Sequence, residues 1–310
     1  MRFDRTIGSL AAACGILLAA APVAPQWLLF LLALALAKGL VVLGLLLLMR
    51  TGLVSFGQGL YFGLGAYAAA LLAHRGGLAD AALMIVAGTA CAAAVAAILG
   101  LLLARYREIF FAMLSLAFSM ILYGLLVKSS ALGSTDGFHV QVRQFAGVAL
   151  AAGDERRVFY AASAVVVFAL GWALHRYLRS HWGRLSEAIR DNELRVEYLG
   201  ASVYRVVYVN YIIAAALAGL GGAFAALAVG HVDPETTYWT TSGEFVFIAI
   251  LGGTGNVLAP FLSAAIFEAL RTVANQYAPN VWQMALGLAM LAIIMFLPGG
   301  LWTLVRRRAV

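Results

Sequence analysis

The chain is built from a series of apolar blocks, each close to the length a helix needs to cross a bilayer. They fall at about residues 7–24, 27–49, 53–73, 79–104, 109–127, 158–175, 204–229, 245–271 and 281–305; about 20 helical residues cover the roughly 30 Å of hydrocarbon. Within the blocks the apolar residues run without alternation, so the backbone must satisfy its polar groups inside helices and not in a barrel. Charged residues make up only 11% of the 310 and hydrophobic ones 64%, against about 25% charged in a soluble domain. The fold class expected is all-α: a polytopic transmembrane helical bundle with broken or re-entrant helices and about 8–10 spans, forming one transmembrane domain over residues 1–310.

A formal charge of +7 does not mark a nucleic-acid partner, because the basic residues sit in interhelical loops and at the C-terminus, where topology accounts for them. A cytoplasmic N-terminus puts Arg2, Arg5, Arg50, Arg105, Arg107, the arginines between 176 and 205, and Arg306, Arg307 and Arg308 inside. Arg75, Lys128, Arg143, Arg156 and Arg157 then fall outside. That bias predicts a multi-pass membrane protein with both termini cytoplasmic, a cytoplasmic loop at 176–203 and an external loop at 128–157. Nine full crossings from an inside start would leave the arginine triplet outside, so one block must break parity. The block at 245–271 is interrupted by Gly252, Gly253, Thr254, Gly255 and Asn256 and then Pro260, which predicts two short helices or a re-entrant turn there. Residues 1–24 read as a first membrane helix in preference to a cleaved leader.

Two glycine-rich elements are candidates for the translocation path. Residues 52–67 hold five glycines, and Gly59 and Gly63 have the spacing of a close helix contact. Ser55 and Gln58 add hydrogen-bonding groups beside Gly57. This stretch is read either as a tight helix contact or as a broken helix lining a path, with Ser55, Gly57, Gln58 and Gly63 as the path candidates. Gly252, Gly253, Thr254 and Asn256 are the candidates in the second element. A small-residue face on 214–226 is read as packing alone.

The loop at 176–203 is different in kind. Residues 184–199 read as one amphipathic helix: Leu185, Ile189, Val196 and Leu199 share a stripe, Asp191 and Arg195 are four apart, and Gly200 is a natural stop. Such a helix rests on a membrane surface or docks into a groove of a soluble partner.

These elements together resemble the permease subunits of branched-chain amino-acid ABC importers, over nearly everything from Gly52 onward. The resemblance is carried, in order, by residues 52–67, by Gly133-Ser134-Thr135-Asp136-Gly137, by 183–200, by 214–226, by Pro234-Glu235, by 251–255 and by 296–301. It implies that the loop is the segment that seats in an ATPase subunit, with Glu187 and Ala188 at the core of the coupling motif and Arg184, Arg190, Asp191 and Gly200 alongside. It also implies partners: a second homologous permease, two ABC ATPase subunits carrying the ATP and Mg, and an extracytoplasmic solute-binding protein, all around a chain embedded in membrane lipid. Leu46 stands where relatives often carry a polar residue and Gln58 where they often carry His, which leaves the solute open within the range of branched-chain and related amino acids.

The residues themselves agree that this chain burns no ATP and is no enzyme. Its two lysines, Lys38 and Lys128, lack the glycine-rich setting of a P-loop, and neither HExxH nor GxSxG occurs. Cys14 and Cys91 lie in apolar blocks without metal-ligand spacing, so no metal or cofactor is expected in this chain. An ion-coupled secondary transporter of a small polar solute is the alternative class, for which Glu244 and Glu268 are thin material. Lys38 and Glu268 are the buried charges. One reading pairs them at a gate; the other, preferred from sequence, has Lys38 satisfied locally and Glu268 at the interface or paired with Arg271.

Overall fold

The computed structural model describes residues 5–22, 24–76, 80–140, 144–145, 148–149, 155–277, 282–296 and 300–303. Arg306, Arg307, Arg308 and part of the loop at 128–157 lie outside them. The chain is almost wholly helical: α1 Arg5–Ala20, α2 Gln26–Arg50, α3 Gln58–Gly76, α4 Ala81–Leu103, α5 Glu108–Lys128, α6 Glu155–Leu178, α7 His181–Asp191, α8 Glu193–Tyr198, α9 Val203–Val229, α10 Trp239–Gly252, α11 Ala259–Tyr277 and α12 Trp282–Phe296. Helices α2, α4, α5 and α9, with Arg157–Leu178 of α6, are each long and apolar enough to cross a membrane.

The bundle has two distinct ends. At one lie the polar helices α7 and α8 and the turns after α2, α4 and α10. At the other, β1 (Phe138–His139) pairs antiparallel with β4 (His231–Val232), and β2 (Gln144–Phe145) with β3 (Val148–Ala149). We refer to these as the polar-helix end and the strand end.

Helix α9 is the axis of the packing. Its small residues Ala214, Ala218, Gly219, Gly222 and Ala223 are all buried, and α2, α3 and α4 lie against it. The approach is too close for side chains: a methyl on Gly44 of α2 would sit 2.7 Å from the Ala214 carbonyl oxygen, and Gly65 of α3 meets the backbone of Gly219 directly. Without a hydrophobic drive between helices in lipid, such backbone approach is where packing energy is gained. Tyr208 and Tyr204 fasten α9 to α4, their hydroxyls donating to the carbonyls of Ala97 and Leu101 at 3.0 and 3.2 Å.

The expected interruption of the block at 245–271 is present, and the block at 53–73, left open between a helix contact and a broken helix, is also irregular. The block at 245–271 divides into α10 and α11 around residues 253–258. Gly253 at φ 77°, ψ 165° occupies a region open to glycine alone. Gly300 packs on the backbone of Gly252 and Gly253, and the Leu301 N–H bonds the Leu251 carbonyl at 2.8 Å, so the closing motif backs the break. The block at 53–73 is not one helix: it leaves α2 through Gly52 at φ +83°, and α3 starts only at Gln58. Side chains satisfy backbone donors that this late start frees. Ser115 Oγ accepts from Phe56 N–H, Ser55 Oγ from Gly57 N–H, and Ser242 Oγ from Gly59 N–H at 2.9 Å.

The segment between β4 and α10 folds back toward the bundle. A 3₁₀ turn at Pro234–Thr237 sets Thr237 against Gly63 of α3, and its carbonyl accepts from Ser119 Oγ of α5 at 2.8 Å.

Candidate functional site

A buried charge cluster sits where α2, α10 and α11 meet. Lys38 on α2 is 5% exposed and Glu268 on α11 is 3% exposed. The Lys38 ammonium contacts the carboxylates of both Glu244, on α10, and Glu268. Arg271, one turn beyond Glu268, brings its Nη1 to 3.3 Å from Glu244 Oε1 and 4.0 Å from Glu268 Oε1. Two cations and two carboxylates thus form a formally neutral cluster, the arrangement that makes charge tolerable away from water. This corrects the expectation that Lys38 is satisfied locally: its partners come from helices more than 200 residues on, because α11 packs along α2 and carries Glu268 to it. Glu268 faces both Lys38 and Arg271, and Glu244, read from sequence as a boundary acid, is the bridge between the two cations.

Beside the cluster, toward the strand end, opens a cavity of about 260 Å³. Lys38, Glu244 and Arg271 contribute to its polar lining, with Asp233, Glu235 and Thr236 from the segment between β4 and α10. Its apolar lining includes Leu34, Phe62, Ala66 and Val229.

At the C-terminal end of α2, about 18 Å from mid-helix Lys38, Arg50 makes a second junction. Its Nε and Nη2 donate to the Thr254 carbonyl at 3.1 and 2.8 Å, and its Nη1 to Glu187 Oε1 at 3.0 Å. One side chain therefore joins α7 to the turn between α10 and α11. A buried asparagine makes a parallel tie. Asn210 of α9 donates to Thr51 Oγ1 at 3.0 Å and to Ser186 Oγ of α7 at 2.8 Å, and accepts from the Tyr177 hydroxyl at 2.7 Å. With both amide hydrogens and the amide oxygen bonded, Asn210 ties α7 to α6, α9 and the end of α2. Arg50, Glu187, Arg184, His175 and Asn256 line a cavity of about 340 Å³ at this junction.

Residues 184–199 are two helices, not the single amphipathic one expected. The chain leaves α7 at Asn192, whose Oδ1 caps α8 by accepting from Arg195 N–H at 3.0 Å. The break turns Leu199 outward, 81% exposed beside Tyr198 at 90%, while Ile189 and Val196 stay buried. Asp191 and Arg195, now on separate helices, form no ion pair. Glu193 bonds Arg107 Nε at 2.6 Å instead, holding α8 to the start of α5. Gly200, at φ +84°, follows α8 as expected of a stop. Arg184, Arg190 and Asp191 are exposed and Ala188 half-buried.

The path candidates separate. Ser55, Gly57, Gln58 and Gly63 are buried and line neither cavity; Gly57 packs on Ser115 and Gly63 on Thr237. Gln58 is fully buried with neither amide atom partnered among the described residues. Gly252 packs on Ala259 and Ser263, Gly253 makes the turn, Thr254 supplies the carbonyl to Arg50, and Asn256 Oδ1 accepts from Leu258 N–H at 3.0 Å. Arg50 and Asn210 were not singled out from sequence. An arginine ending an apolar block is ordinary topology, and one asparagine in a long apolar helix was the signal available.

Helices broken at glycine within an apolar bundle, a charge cluster beside a cavity, and a polar helix pair locked to the bundle at one end define a multi-pass membrane protein of the permease kind. The family model for the branched-chain amino acid transport system / permease component matches residues 27–296, and the chain belongs to that family. Among its relatives is the high-affinity branched-chain amino acid transport system permease protein LivM of Salmonella typhimurium, 29% identical over 279 residues, which cover 83% of this chain and 65% of the relative. The Escherichia coli LivM gives the same identity and coverage. The corresponding LivH of Salmonella typhimurium is 23% identical over 139 residues, 44% of this chain and 45% of that protein. The chain thus spans about 65% of the length of its LivM relatives. No solved structure matches it.

Proposed function

We propose that this chain is the membrane-spanning permease subunit of an ATP-binding cassette importer, forming the path for a branched-chain or related amino acid and receiving motion from ATPase subunits through α7 and α8. The observation that carries the coupling reading is the Arg50 junction: α7 contacts both the end of α2 and the turn of the broken helix through one guanidinium. Exposed Tyr198 and Leu199 beside Arg184, Arg190 and Asp191 give this end an apolar and charged surface suited to a soluble partner. The partners are a second homologous permease, two ATPase subunits holding ATP and Mg, and an extracytoplasmic binding protein at the strand end. The polar-helix end, with both termini, faces the cytoplasm of a bacterial inner membrane.

The experiment is reconstitution of the chain in proteoliposomes with its partner subunits and binding protein. Amino-acid uptake that requires ATP and every partner is expected; uptake by this chain alone, driven by a proton or sodium gradient, would replace the reading with a secondary transporter. Orientation is checked in cells with Cys14 and Cys91 replaced by alanine. An impermeant maleimide should label Thr135→Cys from outside, and Tyr198→Cys only after permeabilisation.

A further inference from the structure

Two histidines face each other where β1 meets β4, and the proposed function gives them no role. His139 and His231 are register partners. Beside them the Val140 N–H bonds the Gly230 carbonyl at 2.9 Å. Theirs is therefore a non-hydrogen-bonded pair, the position in an antiparallel ladder where facing Cα atoms come to about 4.5 Å and side chains are closest. The ring centroids lie 5.0 Å apart. Two imidazoles on one tetrahedral ion, with about 2.0–2.1 Å from metal to nitrogen, hold their ring centres about 5 Å apart. We propose that His139 and His231 chelate a borderline divalent transition-metal ion, of the zinc, copper and nickel class that imidazole suits, and that the bound ion clasps β1 to β4.

Ring stacking alone leaves one group unexplained. His231 Nδ1 is buried with no hydrogen-bond partner among the described residues, and an orphan nitrogen of this kind is a place for a bound ion or water. His139, on the facing strand, is exposed, so an ion can arrive from the strand end. The third histidine of this region lies on another side. Phe138 turns to the rings of Tyr67 and His74 on α3, and successive strand residues point to opposite faces, so His139 is directed away from His74. Asp233, two residues beyond His231, accepts from the Thr236 N–H at 3.3 Å through Oδ1. No set of three donors forms among the described residues, so two imidazoles are the protein's share and water fills the other positions. Such an open site holds its ion through both rings at once: an ion released by one ring remains beside the other at high effective concentration. Because β1 follows α5 and β4 follows α9, the clasp ties the ends of two membrane-length helices together.

The test is calorimetric titration of zinc chloride into the full chain in phosphatidylcholine nanodiscs, purified on a tag without histidine, with amide exchange followed at Val140. One saturable site is expected, weakened at least about ten-fold in His139→Ala and in His231→Ala, the scale of losing one arm of a two-point attachment, and unchanged in His74→Ala. Zinc should also slow exchange of the Val140 N–H in the unsubstituted protein and not in His139→Ala. Absence of saturable binding below about 1 mM zinc would overturn the site, and that outcome requires no variant. Undiminished affinity in a folded His139→Ala protein would overturn it as well, leaving an adventitious ion elsewhere on the chain. Equal weakening by His74→Ala would do the same. None of these outcomes bears on amino-acid uptake, so the permease reading stands or falls separately.

Discussion

Lys38 shows how much a single residue can reveal and conceal in a sequence. An ammonium in the middle of an apolar block marks a functional or structural centre by its cost alone, yet nothing local says which acid neutralises it. Its two carboxylates arrive from α10 and α11 by tertiary packing, and local satisfaction was the wrong expectation. Removing one member of a buried pair costs about 3–5 kcal/mol because its partner is left charged and unpaired. Lys38→Met is therefore expected to lower the thermal unfolding midpoint of the purified protein strongly. Adding Glu268→Gln, which removes the more buried orphan, should recover much of the loss. If the double variant is no more stable than the single, Lys38 is not held as described.

At the scale of elements, the helix break was legible and the helix split was not. Gly252, Gly253 and Gly255 clustered just before Pro260 together disfavour a continuous helix, so the division into α10 and α11 could be read directly. Leu185, Ile189, Val196 and Leu199 kept an acceptable period across Asn192, and periodicity masked the cap that Asn192 supplies to α8. Two outcomes belong here. Gly253→Ala forces a side chain into glycine-only backbone space and should destabilise the turn by about 1–3 kcal/mol, measurable as a lower unfolding midpoint. Arg50→Ala severs α7 from the Thr254 carbonyl. In the reconstituted complex it should cut amino-acid uptake about ten-fold, within the range of a 1–3 kcal/mol coupling energy, while ATP hydrolysis continues. Parallel loss of both activities would mean that the junction serves assembly instead.

Across the whole molecule, fold class and membrane character followed from block length and continuity, and the small-residue face of α9 from its four-residue spacing. The irregular start of α3 did not, because its backbone donors are satisfied by Ser115 and Ser242 from distant helices. The cavity could not be read either: its lining comes from α2, α3, α9, α10, α11 and the 3₁₀ segment before α10, positions that no single stretch brings together.

Helix α2 is fastened to the α10–α11 pair twice, by Lys38 at one level and by Arg50 about 18 Å away. Two such ties resist sliding and tilting of α2 against the pair, so the three helices are expected to move together. A covalent cross-link between α2 and α11 should therefore leave uptake by the reconstituted complex unimpaired, and arrest of the cycle by that link would place the moving joint inside the trio.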